Sequence, residues 1–223
     1  MSTPTREELA RIYATRFAAT SDYRRRVWQV LVPSFFQQYI REQAVVLDLG
    51  CGYGEFINTV RAGRKLGMDL NSDSKARLNS DVLFLQQDCS REWSVNSGEL
   101  DVVFTSNFFE HLPDKETLGR TLDQAFRCLK PGGRLIAMGP NYKFVHGRYW
   151  DFWDHHLPLT EMSLTEGLAI RGFEIERCEP RFLPYTIVGG PEYPLWMLTL
   201  YLKFRFLWRI KGGQFLVIAL KTG

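Results

Sequence analysis

From residue 44 onward the chain alternates short apolar runs with longer polar stretches. Five of the runs have the length and composition of buried strands, and they occupy residues 44–50, 65–70, 82–88, 100–106 and 133–139. Two further strand candidates follow at 173–179 and 214–221. The polar stretches between them are compatible with helices. This alternation predicts a doubly wound α/β fold built on a mostly parallel sheet.

The first 40 residues have a different periodicity, with apolar side chains at every third or fourth position. That spacing predicts helices over residues 6–40. Pro33 is expected to kink or divide the second helix, because proline has no backbone N–H and its ring clashes with the preceding turn. The repeat is carried by Leu9, Tyr13, Phe17, Trp28, Leu31, Phe35 and Tyr39.

A length of 223 residues with 45% hydrophobic and 14% aromatic residues is sufficient for one packed core. The net charge of +3 is too small to indicate a surface that binds nucleic acid. The only dense basic patch is Arg24-Arg25-Arg26, which we interpret as a solvated helix face. No nucleic-acid partner is therefore expected.

The four cysteines are widely spaced and form no C-x-x-C pair, so neither a zinc knuckle nor a redox motif is visible and no metal is expected. The amino-terminal residues lack the apolar stretch of a signal peptide. The most hydrophobic segment, 194–210, contains Lys203, Arg205 and Arg209 and is shorter than the roughly 20 apolar residues of a membrane-spanning helix. A cytoplasmic protein with reduced thiols is expected.

The sharpest chemical signal is the sequence VVLDLGCGYGEF at residues 45–56, in which an apolar strand runs into Gly50, Gly52 and Gly54. Glycine at such positions lets the backbone turn tightly and approach a ligand closely. A dinucleotide-binding loop would need its third glycine where this chain has Glu55. A carboxylate there argues against a phosphate ligand and for a neutral or cationic one.

Polar residues also mark the ends of the next three strand candidates. Asp69 ends the second, Asp88 ends the third and Asn107 follows the fourth. Because ligands of this fold bind outside the carboxyl ends of the strands, the three side chains are expected to line one crevice. S-adenosylmethionine fits such a site, since it has no phosphate, carries a sulfonium cation and ends in an amino acid. Taken singly, Asp69 has an alternative interpretation as the N-cap of a helix, and Asp88 has one as part of a surface turn.

Five motifs resemble those of the class I S-adenosylmethionine-dependent methyltransferases, particularly the subgroup similar to the ubiquinone and menaquinone biosynthesis enzymes. The motifs are VVLDLGCGYGEF, GMDL, QQDCS, SNFFEHLPD and LKPGGRLIAMGPN, and together they cover residues 44–140. The resemblance implies a Rossmann-like, seven-stranded, mostly parallel sheet with an antiparallel last strand and a helical N-terminal cap. It also implies S-adenosylmethionine as cofactor and S-adenosylhomocysteine as product.

The resemblance assigns each part of the cofactor to one group of residues. Glu110 and His111 recur in this subgroup too, although a carboxylate and an imidazole at a helix start also suit capping. In this resemblance, Asp48 with Gly50, Cys51, Gly52 and Gly54 contacts the methionine end, and Asp69, with Leu70 beside it, contacts the ribose. Asp88 and Cys89 contact the adenine, and Asn107 and Phe108 line the path to the sulfonium.

The acceptor side is expected after the fifth strand, where the sequence YWDFWDHH at residues 149–156 combines aromatic, acidic and imidazole side chains. If this stretch is helical, Asp151 and His155 lie one turn apart, and the carboxylate can orient the imidazole as a general base. A contact between Asp154 and His156 in an extended loop is the alternative.

His155 is the first candidate for the base, followed by His156 and His111. A competing interpretation is that the tryptophans and phenylalanine of this stretch fill a seam against the core while its histidines face water. Residues 149–175 also resemble bacterial methyltransferases of surface-polysaccharide synthesis, which implies a sugar hydroxyl as acceptor. The N-P-P-aromatic motif of many amino-group methyltransferases is absent after the fourth strand, where the chain has Asn107-Phe108-Phe109-Glu110.

We treat 1–223 as a single methyltransferase domain. Its parts are a helical cap at 1–43, a cofactor-binding core at 44–140, a substrate-side loop and helix at 141–172 and a hydrophobic helical insert at 190–212. A capping box at Ser163-Leu164-Thr165-Glu166 is expected to start a helix that Gly172 ends. The insert has three alternative roles: a lid over the pocket, the contact of a homodimer, or a surface that meets a membrane-anchored lipid substrate.

The predicted function is O-methylation of a small-molecule or glycan hydroxyl, on a sugar, polyketide-like or quinone-type acceptor. Methyl transfer is a direct displacement, so the enzyme mainly aligns the nucleophile and, for a hydroxyl, supplies a base. A carbon or nitrogen methyltransferase of the same fold is one alternative. A non-catalytic regulator that binds S-adenosylmethionine is the other.

Overall fold

The computed structural model describes residues 21–186 and 191–223, and these contain one seven-stranded sheet. Its strands cross the sheet in the order β3-β2-β1-β4-β5-β7-β6. β1 to β5 are parallel, whereas β7 lies antiparallel between β5 and β6. The predicted Rossmann-like sheet with an antiparallel last strand is confirmed. The strands are β1 (Val45–Leu49), β2 (Arg64–Asp69), β3 (Val82–Gln86), β4 (Leu100–Ser106), β5 (Leu129–Pro140), β6 (Phe173–Glu179) and β7 (Gln214–Lys221).

The α-helices of the described residues are α1 (Ser21–Ser34), α2 (Lys115–Cys128), α3 (Tyr142–Val145), α4 (Glu161–Ala169), α5 (Leu195–Lys203) and α6 (Arg205–Lys211). Short 3-10 helices occupy Phe36–Tyr39, Ser72–Arg77, Phe109–His111 and His146–Asp151.

The connections after β1 and β2 differ from the helices that the alternation predicted. Residues 55–59 form turns, and the connection after β2 is only a 3-10 helix. In both places a side chain forms a hydrogen bond with nearby backbone. The Thr59 hydroxyl donates to the Glu55 carbonyl at 2.7 Å, and the Asn71 side chain accepts from the Asp73 N–H at 3.1 Å. The Thr59 contact offers the backbone an alternative to a regular helix, whereas Asn71 is the N-cap of the 3-10 helix that stands in place of the predicted α-helix.

Two apolar clusters cover opposite faces of the sheet. Successive strand residues point to opposite faces, so Val46 and Leu47 belong to different clusters. On the Leu47 face lie α2 and α4, with Leu122 and Leu164 buried. On the Val46 face lie α1 and the α5–α6 pair. α1, which belongs to the N-terminal cap, and the two helices of the hydrophobic insert therefore share one side of the sheet.

Pro33 divides the helical cap as the sequence predicted. α1 ends at Ser34, and the 3-10 helix Phe36–Tyr39 follows it. The earlier part of the predicted helical repeat lies outside the described residues, with Leu9, Tyr13 and Phe17.

α4 begins earlier than the sequence predicted. Its capping box pairs Thr160 with Ser163: the Thr160 hydroxyl accepts a hydrogen bond from the Ser163 N–H at 3.1 Å, and the Ser163 hydroxyl accepts one from the Thr160 N–H at 3.0 Å. The predicted box at 163–166 is wrong, because Thr160 already has the extended backbone of an N-cap. The helix ends at Ala169, and Gly172 follows it with a φ of 86°.

The hydrophobic insert forms two short helices that meet at Phe204, whose backbone leaves the helical region (φ −104°, ψ 88°). α5 packs against α1, and Leu202 and Trp208 are buried in the same apolar cluster as the cap. Trp196 and Phe206 stay exposed. Within residues 21–186 and 191–223, no helix combines the length and the apolar character that crossing a membrane requires.

Candidate functional site

The loop after β1 keeps its shape through positive backbone torsions and bonds to β2. Gly50, Gly52 and Gly54 have φ values of 70°, 50° and 76°, which glycine adopts more readily than other residues. A Cβ atom at Gly50 would lie 2.4 Å from the Phe108 ring, so a side chain does not fit there without movement. The N–H groups of Gly50 and Cys51 donate to one carbonyl of β2 at 2.9 and 3.0 Å. The tight turn predicted from the glycines is present.

One buried and two half-buried carboxylates surround this loop, those of Asp48, Glu55 and Asp69. Burial, reinforced by the charges of Glu55 and Asp69, raises the pKa of Asp48 well above its ordinary value. The Asp69 carboxylate accepts hydrogen bonds from the N–H groups of Gly52 at 2.9 Å and Asn71 at 2.8 Å. Burial raises the pKa of Asp69 as well, although these hydrogen bonds oppose the shift. The region therefore favours a cationic ligand over an anionic one.

An ion pair that was not predicted joins the cap to the loop. Arg24 Nη2 lies 2.8 Å from Glu55 Oε1, and the two side chains are only 19% and 11% exposed. The interpretation of the basic triplet as a solvated face holds for Arg25 and Arg26 but is wrong for Arg24. The helical spacing indicates that Arg24 is not on the solvated face, because Arg24 stands four residues before Trp28 and therefore lies on the same face of α1.

A cavity of about 760 Å³ opens beside the loop. α1 contributes Arg24 and Trp28 to its walls, and α5 contributes Met197 and Tyr201. The cap and the insert therefore enclose the space next to the loop. Of the residues predicted to bind cofactor or acceptor, those that line this cavity are Asp48, Gly50, Cys51, Gly52, Asn107, His111 and His155.

Other residues predicted for the cofactor do not line the cavity. The Asp88 carboxylate accepts hydrogen bonds from the N–H and the hydroxyl of Ser90, both at 2.8 Å, which is the surface turn that the sequence left as its alternative. Cys89 is buried 3.4 Å from the Thr121 hydroxyl, and burial raises the pKa of its thiol to about 12. The residues predicted to bind the cofactor that do not line the cavity are Gly54, Asp69, Leu70, Asp88, Cys89 and Phe108.

The turn after β4 leads the chain to the cavity wall. Asn107 has a φ of 50°, a left-handed torsion that asparagine tolerates better than most residues, and its N–H donates to the Met138 carbonyl at 2.9 Å. The 3-10 helix Phe109–His111 follows directly. This turn places Glu110 and His111 beside the cavity.

Two distant segments meet at this wall. The N–H groups of His156 and Leu157 donate to the Glu110 carbonyl at 2.8 and 3.1 Å. The rings of His111 and His155 lie 5.0 Å apart with an edge-to-face orientation. Glu110 and His155 are buried, and His111 is half-buried. The structure thus gathers Glu110, His111 and His155 into one cluster, which we call the Glu–His–His cluster and which was not predicted as a unit.

Asp154 orients one imidazole of the Glu–His–His cluster. His111 Nδ1 lies 2.9 Å from the Asp154 backbone oxygen and 3.2 Å from its Oδ2. Because a carbonyl oxygen only accepts hydrogen bonds, Nδ1 carries the proton, and the lone pair of the neutral ring is on Nε2. The sequence considered Asp154 only as a partner of His156, so this contact was missed.

The predicted pairing of Asp151 with His155 is wrong. The 3-10 helix ends at Asp151 and Phe152 has an extended backbone, so the two residues do not share a helical turn. The extended residue lets the Phe152 ring stack on His155, with centroids 4.9 Å apart, while Asp151 is exposed.

The competing interpretation of this stretch is also wrong for the two tryptophans. Trp150 and Trp153 are 52% and 90% exposed, so neither fills a seam against the core. Phe152 and His155 line the cavity, whereas His156 is half-buried and does not. Of the two adjacent histidines, His155 is the one placed to meet a ligand there.

Comparison with known proteins matches the sequence to one family. The sequence model of a family described as a methyltransferase domain matches residues 21–177, more than half of the chain. The chain is 25% identical over 147 residues to a demethylmenaquinone methyltransferase of Symbiobacterium thermophilum, which covers 56% of this chain and 55% of that protein. The chain spans 54–58% of the length of the curated relatives it matches.

Solved structures share the fold over nearly the whole chain. A methyltransferase in a complex with the Haloferax volcanii Trm112 methyltransferase activator superposes with a TM-score of 0.71 at 19% identity, covering 95% of this chain and 96% of that one. A SAM-dependent methyltransferase of Archaeoglobus fulgidus gives a TM-score of 0.66 at 22% identity, covering 92% and 99%. At such identities the likeness establishes the fold alone.

Proposed function

Because the chain belongs to the methyltransferase domain family, we propose that it transfers the methyl group of S-adenosylmethionine to a hydroxyl oxygen of a small molecule or glycan. The methyl carbon passes from the sulfonium sulfur to the acceptor oxygen in one displacement, and S-adenosylhomocysteine is left. The protein contributes chiefly by aligning the two reactants and excluding water.

The observation that carries this proposal is the concentration of negative charge around the glycine loop. Arg24 pairs with Glu55, yet burial and the neighbouring carboxylates still raise the pKa of Asp48. The ammonium and sulfonium groups of S-adenosylmethionine would relieve this repulsion. The pyrophosphate of a dinucleotide would increase it.

We assign the cofactor contacts in the order that the motifs imply. The methionine end lies against Asp48 and the loop backbone, and the ribose hydroxyls lie at Asp69. Since hydrogen bonds to a charged group contribute about 1.5–3 kcal/mol, Asp69→Ala is expected to weaken cofactor binding by that amount in calorimetry. Asp69 also holds the loop through Gly52, so the melting temperature of the variant serves as the control for loop collapse. Leu70 is assigned with Asp69 to the ribose, Asp88 and Cys89 are assigned to the adenine, and Asn107 and Phe108 are assigned to the path to the sulfonium.

The acceptor binds in the cavity next to the Glu–His–His cluster. A hydroxyl must lose its proton as the methyl group moves, and a neutral imidazole is a suitable acceptor. His155 is the first candidate because it lines the cavity. His111, which Asp154 orients, comes before His156, which lies outside the lining.

The exposed surface of the insert supports the proposal that the methyl acceptor is held at a membrane. Trp196, Phe206 and Ile210 are 63%, 60% and 61% exposed, and Lys203 and Arg209 are exposed among them. Residues 194–211 contain no acidic side chain. Exposed aromatic residues with basic neighbours suit the interface of an anionic bilayer. A lipid-linked hydroxyl would then enter beside α5, which forms a wall of the cavity; a homodimer through the same face is the alternative.

The test uses S-adenosylmethionine with an isotopically labelled methyl group and a panel of glycan, polyketide-like and quinol acceptors. Label on an acceptor oxygen is the expected result. Label on carbon or nitrogen would assign the protein to the alternative transferase classes. Tight cofactor binding without transfer to any member of the panel would favour the non-catalytic regulator.

A further inference from the structure

Three metal-binding side chains converge at the cavity wall. They are the carboxylate of Glu110 and the imidazoles of His111 and His155, whose ligand atoms all lie within 4.8 Å of one another. Glu110 and His155 are buried. We propose that the Glu–His–His cluster binds a divalent transition-metal ion, with the acceptor hydroxyl as an exchangeable ligand on the cavity side.

The backbone holds the three ligands together. Two N–H groups, those of His156 and Leu157, donate to the Glu110 carbonyl and so join the segment that carries His155 to the segment that carries Glu110. The Glu110 carboxylate also packs close to β5, since a Cβ atom at Gly139 would lie 3.4 Å from Glu110 Oε2. The backbone that carries the ligands is therefore held in place by these contacts. A preorganised metal site requires ligands that are fixed in this way.

His111 has the second contact that metal-binding histidines usually have. Its Nδ1 donates to Asp154, at 2.9 Å from the backbone oxygen and 3.2 Å from Oδ2. In metalloproteins such a bond fixes the tautomer and turns the other ring nitrogen toward the ion. The His155 ring is held between aromatic neighbours, with Phe152 at 4.9 Å and Tyr149 at 4.7 Å.

The donor set selects the class of ion. Two imidazoles and one carboxylate suit Mn²⁺, Fe²⁺, Co²⁺ or Zn²⁺, whereas Mg²⁺ and Ca²⁺ prefer oxygen ligands. Bonds of about 2.0–2.2 Å place the ligand atoms of a tetrahedral ion roughly 3.4 Å apart, so side chains spread over 4.8 Å close by small rotations.

The role of the ion in methyl transfer rests on the proposed function, whereas the binding of the ion to the cluster does not. A hydroxyl bound to a divalent ion loses its proton more readily, and that proton passes to water. The oxygen then forms its bond to the methyl carbon as the carbon–sulfur bond breaks, and the sulfonium becomes a neutral thioether. His155 acts in this case as a ligand of the ion, and the ion lowers the pKa of the hydroxyl in place of a direct base.

The test titrates the metal-free full chain with Co²⁺, in the absence of cofactor and acceptor, and follows its visible ligand-field absorption. The parent is expected to bind Co²⁺, and His155→Gln and His111→Gln to weaken binding at least tenfold. Matched controls are His146→Gln and His156→Gln, which change the other two histidines of the chain and should retain parental affinity. Asp154→Asn removes only the orienting carboxylate and should cost 10- to 100-fold, which tests the site even where a ligand variant does not fold.

A folded parent without Co²⁺ absorption would overturn the proposal. So would parental affinity in His155→Gln, or an equal loss in His146→Gln. Calorimetry with S-adenosylmethionine on the same samples separates the two proposals, because cofactor binding without Co²⁺ binding contradicts the metal site alone.

Discussion

At the residue scale, Asp48 links the stability of the fold to its ligand. Its carboxylate is buried beside Glu55 and Asp69, and burial is the largest cause of its raised pKa. A carboxyl whose pKa is higher in the folded than in the unfolded state binds its proton more tightly when folded. Its stabilising contribution is therefore complete below the unfolded pKa of about 3.9 and is lost as the pH rises through the folded pKa.

We expect Asp48→Asn to increase the free energy of unfolding at pH 7 and to flatten its decrease with rising pH, while cofactor affinity falls. An amide oxygen can still accept the hydrogen bond that Ile57 gives to Asp48. Urea unfolding at several pH values between 5 and 8 measures the effect, and Asp73→Asn, at an exposed position, is the control. A variant less stable than the parent at pH 7 would contradict the electrostatic account.

Gly50 gives a second prediction at the residue scale, and Gly98 is its matched control. Gly50 and Gly98 have similar torsions, with φ of 70° and 67°, but an added Cβ would lie 2.4 Å from the Phe108 ring at Gly50 and meets nothing within 4 Å at Gly98. Gly98→Ala should cost about 1–2 kcal/mol for the left-handed torsion. Gly50→Ala should cost about 1–3 kcal/mol more for the overlap. Equal losses in chemical denaturation would show that the contact with Phe108 does not constrain the loop.

At the scale of elements, apolar runs predicted the inner strands β1, β2, β4, β5 and β7, because a strand that is buried on both faces needs a mostly apolar stretch whatever follows it. The connections were less predictable. The Thr59 hydroxyl binds the Glu55 carbonyl, and such a local hydrogen bond favours a turn over a helix without changing the apolar pattern. The capping box was misplaced for a similar reason, since the Thr160–Ser163 pair and the predicted 163–166 pair are both compatible with the sequence.

The exposed face of the insert gives the prediction for this scale. Trp196→Glu combined with Phe206→Glu should reduce binding to vesicles that contain phosphatidylserine at least tenfold, because inserting each aromatic side chain contributes roughly 1.5–3 kcal/mol. Trp153→Glu is the control, since Trp153 is 90% exposed but lies on another segment. Co-sedimentation measures the binding. Parental binding by the double variant, or an equal loss in the control, would contradict a membrane role, and sedimentation velocity would show whether the face joins two copies instead.

At the scale of the whole molecule, topology explains what the sequence could and could not predict about the site. Because residues at the carboxyl ends of parallel strands meet at one edge of the sheet, Asp69, Asp88 and Asn107 were predicted to line one crevice. Asn107 lines the cavity, whereas Asp69 and Asp88 do not. Glu110 and His155 belong to segments that are distant in the sequence and are joined by backbone and side-chain contacts of the folded chain. No local periodicity marks such a pairing, and so the Glu–His–His cluster had to be found in the structure.

The central claim is that this loop binds a cationic S-adenosyl cofactor, and one calorimetric titration tests it most directly. The protein is titrated with S-adenosylmethionine and with S-adenosylhomocysteine at pH values from 5 to 8. Because a sulfonium favours the ionised form of Asp48, whose pKa burial raises, the affinity for S-adenosylmethionine should increase with pH more steeply than the affinity for its neutral-sulfur product. Absence of binding, or identical pH dependence for the two ligands, would contradict the account.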